Sequence, residues 1–168
     1  MIIRMKTITI LLTKYSDIFS KFISLISKGS YTHASISIDE NEDIFYSFNY
    51  KGFAIEKPKI KKHKKILKDC LKIKIQVPEY IYKSIKQKIN TFFEKKEEWS
   101  YARLGVILCL LHIPYKFEKH YFCSQFVAEI LKETGAINLN KKSELCLPYH
   151  LIDIDCLYSS KQFIYNVI

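Results

Sequence analysis

The sequence predicts a mixed α+β protein, and three observations carry that prediction. Stretches with apolar residues at every second position alternate with stretches where they fall at every third or fourth. Apolar residues make up 48% of the 168 positions, ample for one core. With only four Gly, four Pro, no Ser/Gly-rich linker and no internal repeat, the chain offers no boundary at which to divide. Residues 1–168 are therefore expected to form a single domain.

The elements follow in order. Lys6 to Thr13 reads as a first strand, and Ser16 to Ser27 as a helix with Ile18, Phe19, Phe22, Ile23 and Ile26 on one face, ended by Gly29-Ser30. Ala34 to Ile38 and Ile44 to Phe48 form the arms of a hairpin around the polar turn Asp39 to Asp43. After Gly52, Phe53 to Glu56 reads as a short strand, and Cys70 to Val77 alternates again. Pro78 and Glu79 open a helix that continues past Ile85, Ile89 and Phe93 with lysines on its outer face. Trp99 to Leu111 reads as a buried apolar helix closed by Pro114, and a helix from Cys123 to Thr134 stops at the left-handed Gly135. Leu147-Pro148-Tyr149-His150 turns into a short helix ending near Leu157, and Phe163 to Val167 supplies a last edge strand.

Charge and cysteine content narrow the function classes. The net charge is +10, but the abundance of Lys, Ile, Tyr and Asn also matches the codon habit of an AT-rich genome. The basic run Lys57 to Lys68 lacks arginine and interleaved aromatics, which argues against a nucleic-acid partner. A solvated loop accounts for it, with contact to anionic membrane headgroups as the alternative. The five cysteines, Cys70, Cys109, Cys123, Cys146 and Cys156, are an odd, irregularly spaced set that points to reduced thiols. The positive N-terminus leads into a short apolar stretch without a small-residue cleavage site, so a first strand is expected rather than a signal. Leu104 to Leu111 is too short to span a bilayer. A cytoplasmic location is the expectation.

Two residues carry the chemistry. Cys123, in Phe122-Cys123-Ser124-Gln125-Phe126-Val127-Ala128-Glu129-Ile130-Leu131, stands where an extended chain turns into an amphipathic helix. Free N–H groups and the positive helix end favour thiolate over thiol at such a place. The partner base is His33, in Tyr31-Thr32-His33-Ala34-Ser35-Ile36, a strand with alternating small or polar and apolar residues. An inert buried thiol and a structural histidine are the bland alternatives. Tyr31 and Thr32 either line a cleft or begin the strand. A rival reading pairs Cys109-x-x-His112 with His120-x-x-Cys123 as a zinc site. The apolar helical setting of Cys109 and His112 argues against it.

The His33 and Cys123 motifs, with Pro148 beyond them, resemble the circularly permuted papain-like hydrolases of the NlpC/P60 superfamily, and most closely the bacterial YiiX-type proteins. Met5 to Lys14, Tyr46-Ser47-Phe48 and Gly52-Phe53 also resemble that group. The resemblance implies a permuted papain-like α+β fold, its antiparallel sheet packed against helices with the cysteine at a helix N-terminus, and a thiol hydrolase, either amidase, peptidase or acyltransferase, with Cys123 as nucleophile and His33 as base. It implies no cofactor and no metal. The substrate it implies is a small amide, a peptide or an acyl lipid. The family's third residue, often a glutamate, maps onto Ser47, a weak orienter of imidazole, with Asn49 and Glu56 as alternatives. A catalytically silent binding module of the same fold is the runner-up.

Overall fold

A computed structural model describes residues 4–14, 31–58 and 70–165. The expected helix over Ser16 to Ser27 and most of the basic run Lys57 to Lys68 lie outside the described residues. Six strands form one antiparallel sheet: β1 (Met5–Thr13), β2 (His33–Ser37), β3 (Phe45–Asn49), β4 (Gly52–Glu56), β5 (Cys70–Pro78) and, after four short strands, β10 (Gln162–Tyr165). Their order across the sheet is β10-β5-β1-β2-β3-β4. The central strand β1 pairs with β5 from Met5 opposite Pro78 to Thr13 opposite Cys70, and with β2 from Thr9 opposite Ser37 to Thr13 opposite His33.

Alternation sets which face is buried against helices. Ile8, Ile10 and Leu12 of β1, Ala34 and Ile36 of β2, and Leu71, Ile73, Ile75 and Val77 of β5 share one core. Two helices complete it. Helix α1 (Glu79–Glu94) contributes Ile81, Ile85 and Ile89 at spacings of four, and α3 (Cys123–Glu133) contributes Phe126, Val127, Ile130 and Leu131. An aromatic knot of Phe48, Phe53, Phe92, Trp99, Tyr121 and Phe126 locks the β3–β4 hairpin to the helices, with Phe92 and Trp99 at 4.6 Å between ring centroids. Gly52 makes this approach feasible. At φ 102 its missing Cβ would stand 2.3 Å from the Trp99 carbonyl oxygen.

Two departures from the expected elements have local causes. Trp99 to Leu111 is not one buried helix: Ser100–Tyr101 forms β6, paired in parallel with β7 (His120–Tyr121), and only Arg103–Leu110 is helical, as α2. Backbone bonding won over apolar content, since Ser100 N–H donates to Lys119 O and Ala102 N–H to Tyr121 O. One face of α2 is also open to solvent. The helix expected to end near Leu157 is a 3-10 turn over Pro148–Ile152, after which β9 (Asp155–Cys156) pairs with β8 (Ile137–Asn138). The last strand, expected over Phe163 to Val167, is present as β10 over Gln162–Tyr165, and its expected end lies outside the described residues. By contrast, Gly135 has φ 72 and closes α3, with its N–H on Lys132 O and the Ala136 N–H on Leu131 O.

Candidate active site

Parallel pairing of β6 with β7 brings the chain into α2 and α3 side by side, and Cys123 is the first residue of α3. Phe122 precedes it in extended conformation, φ −107 and ψ 163. A phenylalanine in the cap position has no oxygen to accept first-turn N–H groups, so no side chain caps them. Gln125 supplies only the reciprocal half of a capping box, its Oε1 accepting the Phe122 N–H at 3.5 Å. The helix start thus keeps donors and a positive field around the thiol. One turn further on, the buried Glu129 carboxylate accepts from Tyr121 Oη (2.8 Å), Lys116 Nζ (2.8 Å) and Ser143 Oγ (3.1 Å). That network fixes α3 against the segments on either side of it, and nothing in the spacing of these residues along the chain announces it.

His33 opens β2, where the Thr32 N–H donates to Thr13 O and extends the pairing with β1. Its Nε2 lies 2.8 Å from Glu56 Oε1 at the end of β4, and its side chain also hydrogen-bonds Cys123. With Nε2 engaged by the carboxylate, Nδ1 is the nitrogen left for the thiol. His33 is 6% exposed and Cys123 4%, so both sit where water screens little. Burial opposes the imidazolium. The Glu56 charge, the hydrogen bonds to Cys123 and Glu56 and the Cys123 charge outweigh it, holding the His33 pKa well above its usual 6.5.

Ser47, assigned provisionally to orient His33, does something else. Its hydroxyl is fully buried and donates to Ala34 O at 2.6 Å. The reason is register: Ile36 stands opposite Tyr46, so Ser47 falls one step further on and short of His33. Asn49 is occupied in its own turn, its Oδ1 accepting the Lys51 N–H at 2.9 Å. Glu56, the remaining alternative, makes the contact. Its sequence signal was an acidic residue ending the strand that follows Gly52.

The other thiols differ from Cys123 in surroundings. Burial pushes the Cys109 and Cys146 thiols up to about 12 and raises Cys156 as well, and no disulfide joins any of the five cysteines. The Cys109, His112, His120 and Cys123 constellation is not assembled. His120 is exposed with Nδ1 on Glu118 O, and among the described residues no group of three or more His, Cys, Asp or Glu side chains gathers around a point. Also among the described residues, no helix is long and apolar enough to cross a membrane. No protein-family model matches the chain, and neither does any curated protein or solved structure.

Proposed function

We propose that the protein is a cysteine hydrolase or acyltransferase of the permuted papain-like kind, acting on an amide or ester through Cys123, His33 and Glu56. The observation that carries this reading is the single imidazole bonded to both a thiol at a helix start and a carboxylate. The order of elements supports it too, with the histidine strand before the cysteine helix in an α+β sheet.

In this mechanism His33 holds the proton of Cys123 and the thiolate attacks the carbonyl carbon. The oxyanion forms beside the uncapped N–H groups at the start of α3, where one well-placed donor is worth about 3 kcal/mol. His33 returns its proton to the leaving amine or alcohol as the C–N or C–O bond breaks, leaving an acyl thioester. Water, or a second nucleophile in the transferase case, then gives its proton to neutral His33 and releases the acyl group. Glu56 holds the ring in the orientation that points its other nitrogen at sulfur.

The test is iodoacetamide labelling between pH 5 and 9 with the modified cysteine mapped by mass. Cys123 should react first, and His33→Ala should abolish that preference. Labelling of Cys123 no faster than that of Cys109 or Cys146 would sink the proposal. One observation favours the silent binding module instead, namely the low exposure of both dyad residues. An activated acyl ester separates the two, because a silent module leaves no acyl group on Cys123.

A further inference from the structure

Helix α2 is apolar almost all round, yet among the described residues it is covered on one side only. Ala102, Val106 and Cys109 pack against Phe122 and Leu147, so tightly at Gly105 that a Cβ there would sit 3.0 Å from Ala102 Cβ and 3.6 Å from the Phe122 ring. The opposite side presents Leu104, Ile107 and Leu111 at helical spacing. Ile113 and Tyr115 extend the patch into the following segment, and all five are 43–63% exposed. Isolated exposed apolar residues are ordinary, whereas a contiguous set of this kind marks a contact surface.

The backbone presents this patch deliberately. Helix α2 ends in a Schellman turn, with the His112 N–H on Cys109 O (3.0 Å) and the Ile113 N–H on Leu108 O (2.9 Å), and His112 occupies the left-handed position at φ 60. Glycine is the usual residue there, so a side chain is kept at a conformational cost. In such turns the residue in the place of Ile113 commonly folds back on the helix. Here it stays 48% exposed.

Charge points to the partner. Arg103, His112, Lys116, Lys119 and His120 lie in the same stretch of sequence as the patch, and Glu118 is the only acidic residue from Trp99 to Tyr121. Lys116 and Lys119 already pair with Glu129 and Glu98, so their role is shared, but the whole chain carries +10. A short apolar face in a cationic stretch of a basic chain, with an aromatic at its edge, fits an anionic lipid surface. Eight helical residues rise only about 12 Å, far less than a bilayer core, so the helix lies on the membrane rather than through it.

We propose that the open face of α2 and the segment to Tyr115 is a docking surface for an anionic lipid bilayer. Docked this way, the start of α3 lies one helix thickness above the headgroups. The proposal stands apart from the thiol chemistry, and Cys123→Ser is expected to bind vesicles like the native chain.

The full chain is pelleted with phosphatidylcholine vesicles with and without phosphatidylglycerol. Binding should require the anionic lipid and weaken with salt. Leu104→Asp with Ile107→Asp should lower it roughly a hundredfold or more, since each buried leucine-sized side chain is worth at least about a factor of ten. The melting temperature and Cys123 labelling report whether that variant folds. If it does not, Ile113→Ser with Tyr115→Ser, outside the helix, carries the same expectation. Unchanged vesicle binding in the folded variant overturns the proposal. So does a native dimer that these substitutions convert to monomer, which makes the face a contact between two copies.

Discussion

Replacing Glu56 with Gln removes one charge and keeps the shape of the side chain, so it tests what the carboxylate does for His33. Two unit charges about 4 Å apart attract by about 4 kcal/mol at an effective dielectric near 20. Glu56 keeps 20% of its side-chain surface in water while His33 keeps 7%, so roughly half of that is a fair net value. About 2 kcal/mol corresponds to a factor of about 30 in the population of the imidazolium that faces the thiol. Glu56→Gln is therefore expected to slow iodoacetamide labelling of Cys123 at pH 7 by about 30-fold, within limits of roughly 10 and 100.

The pH profile supplies the sign. His33 is charged below a pKa that Glu56 and Cys123 hold above 6.5, so in the native chain the protonated ring persists through neutral pH. In Glu56→Gln that limb should move to lower pH. Labelling within about threefold of native, with the limb unmoved, would refute the orienting role and reduce the 2.8 Å contact to a surface ion pair. Thermal unfolding by circular dichroism guards against the alternative that the variant merely unfolds.

Other consequences are separable. Ser47→Ala should cost about 1 kcal/mol in urea unfolding, because it removes a buried hydrogen bond to the Ala34 carbonyl, yet change Cys123 labelling by less than about threefold. Glu42→Gln should cost about 2 kcal/mol, because the buried Glu42 carboxylate partners both Lys72 and Lys74, each at 2.5 Å, and Lys72 is itself only 6% exposed. The native chain should gain stability over Glu56→Gln between about pH 5 and 6.5, where unfolded histidine is still protonated and glutamate is charged. That advantage should fade as pH rises through the raised folded pKa of His33, as denaturant titrations at each pH would show.

The sheet was legible because its strands are written in a period of two that few other structures tolerate. Ile8, Ile10 and Leu12, and Leu71, Ile73 and Ile75, have only one way to bury together. The place of Cys123 was legible for a similar reason, since an amphipathic run with Cys123 at its head fixes where the helix begins. The carboxylate beside His33 was not. Ser47 and Glu56 differ in what they touch through the β2–β3 register and the reach of a longer side chain, and neither is encoded in local pattern. The α2 reading failed on a subtler point. Apolar content predicts that a helix wants burial, but partners for Leu104 and Ile107 must come from elsewhere in the fold, and among the described residues they do not.

In the proposed mechanism Glu56 also has a consequence for which step limits turnover. Attack by sulfur would be helped by an imidazolium that keeps the thiol proton, so Glu56 would favour acylation. Deacylation needs the opposite state, a neutral ring to take the proton from water. Once the thioester forms, burial still opposes the His33 charge and the Cys123 contributions to it are gone, but the Glu56 charge and hydrogen bond remain and still favour the protonated ring. Deacylation should then be the slower step. An activated acyl ester should give a burst of about one product per enzyme, followed by a steady rate that climbs with pH above 7. In Glu56→Gln the burst should slow while the steady rate at pH 7 loses less, or rises. A steady rate that falls with pH in the native chain would show that His33 does not serve as the base for water.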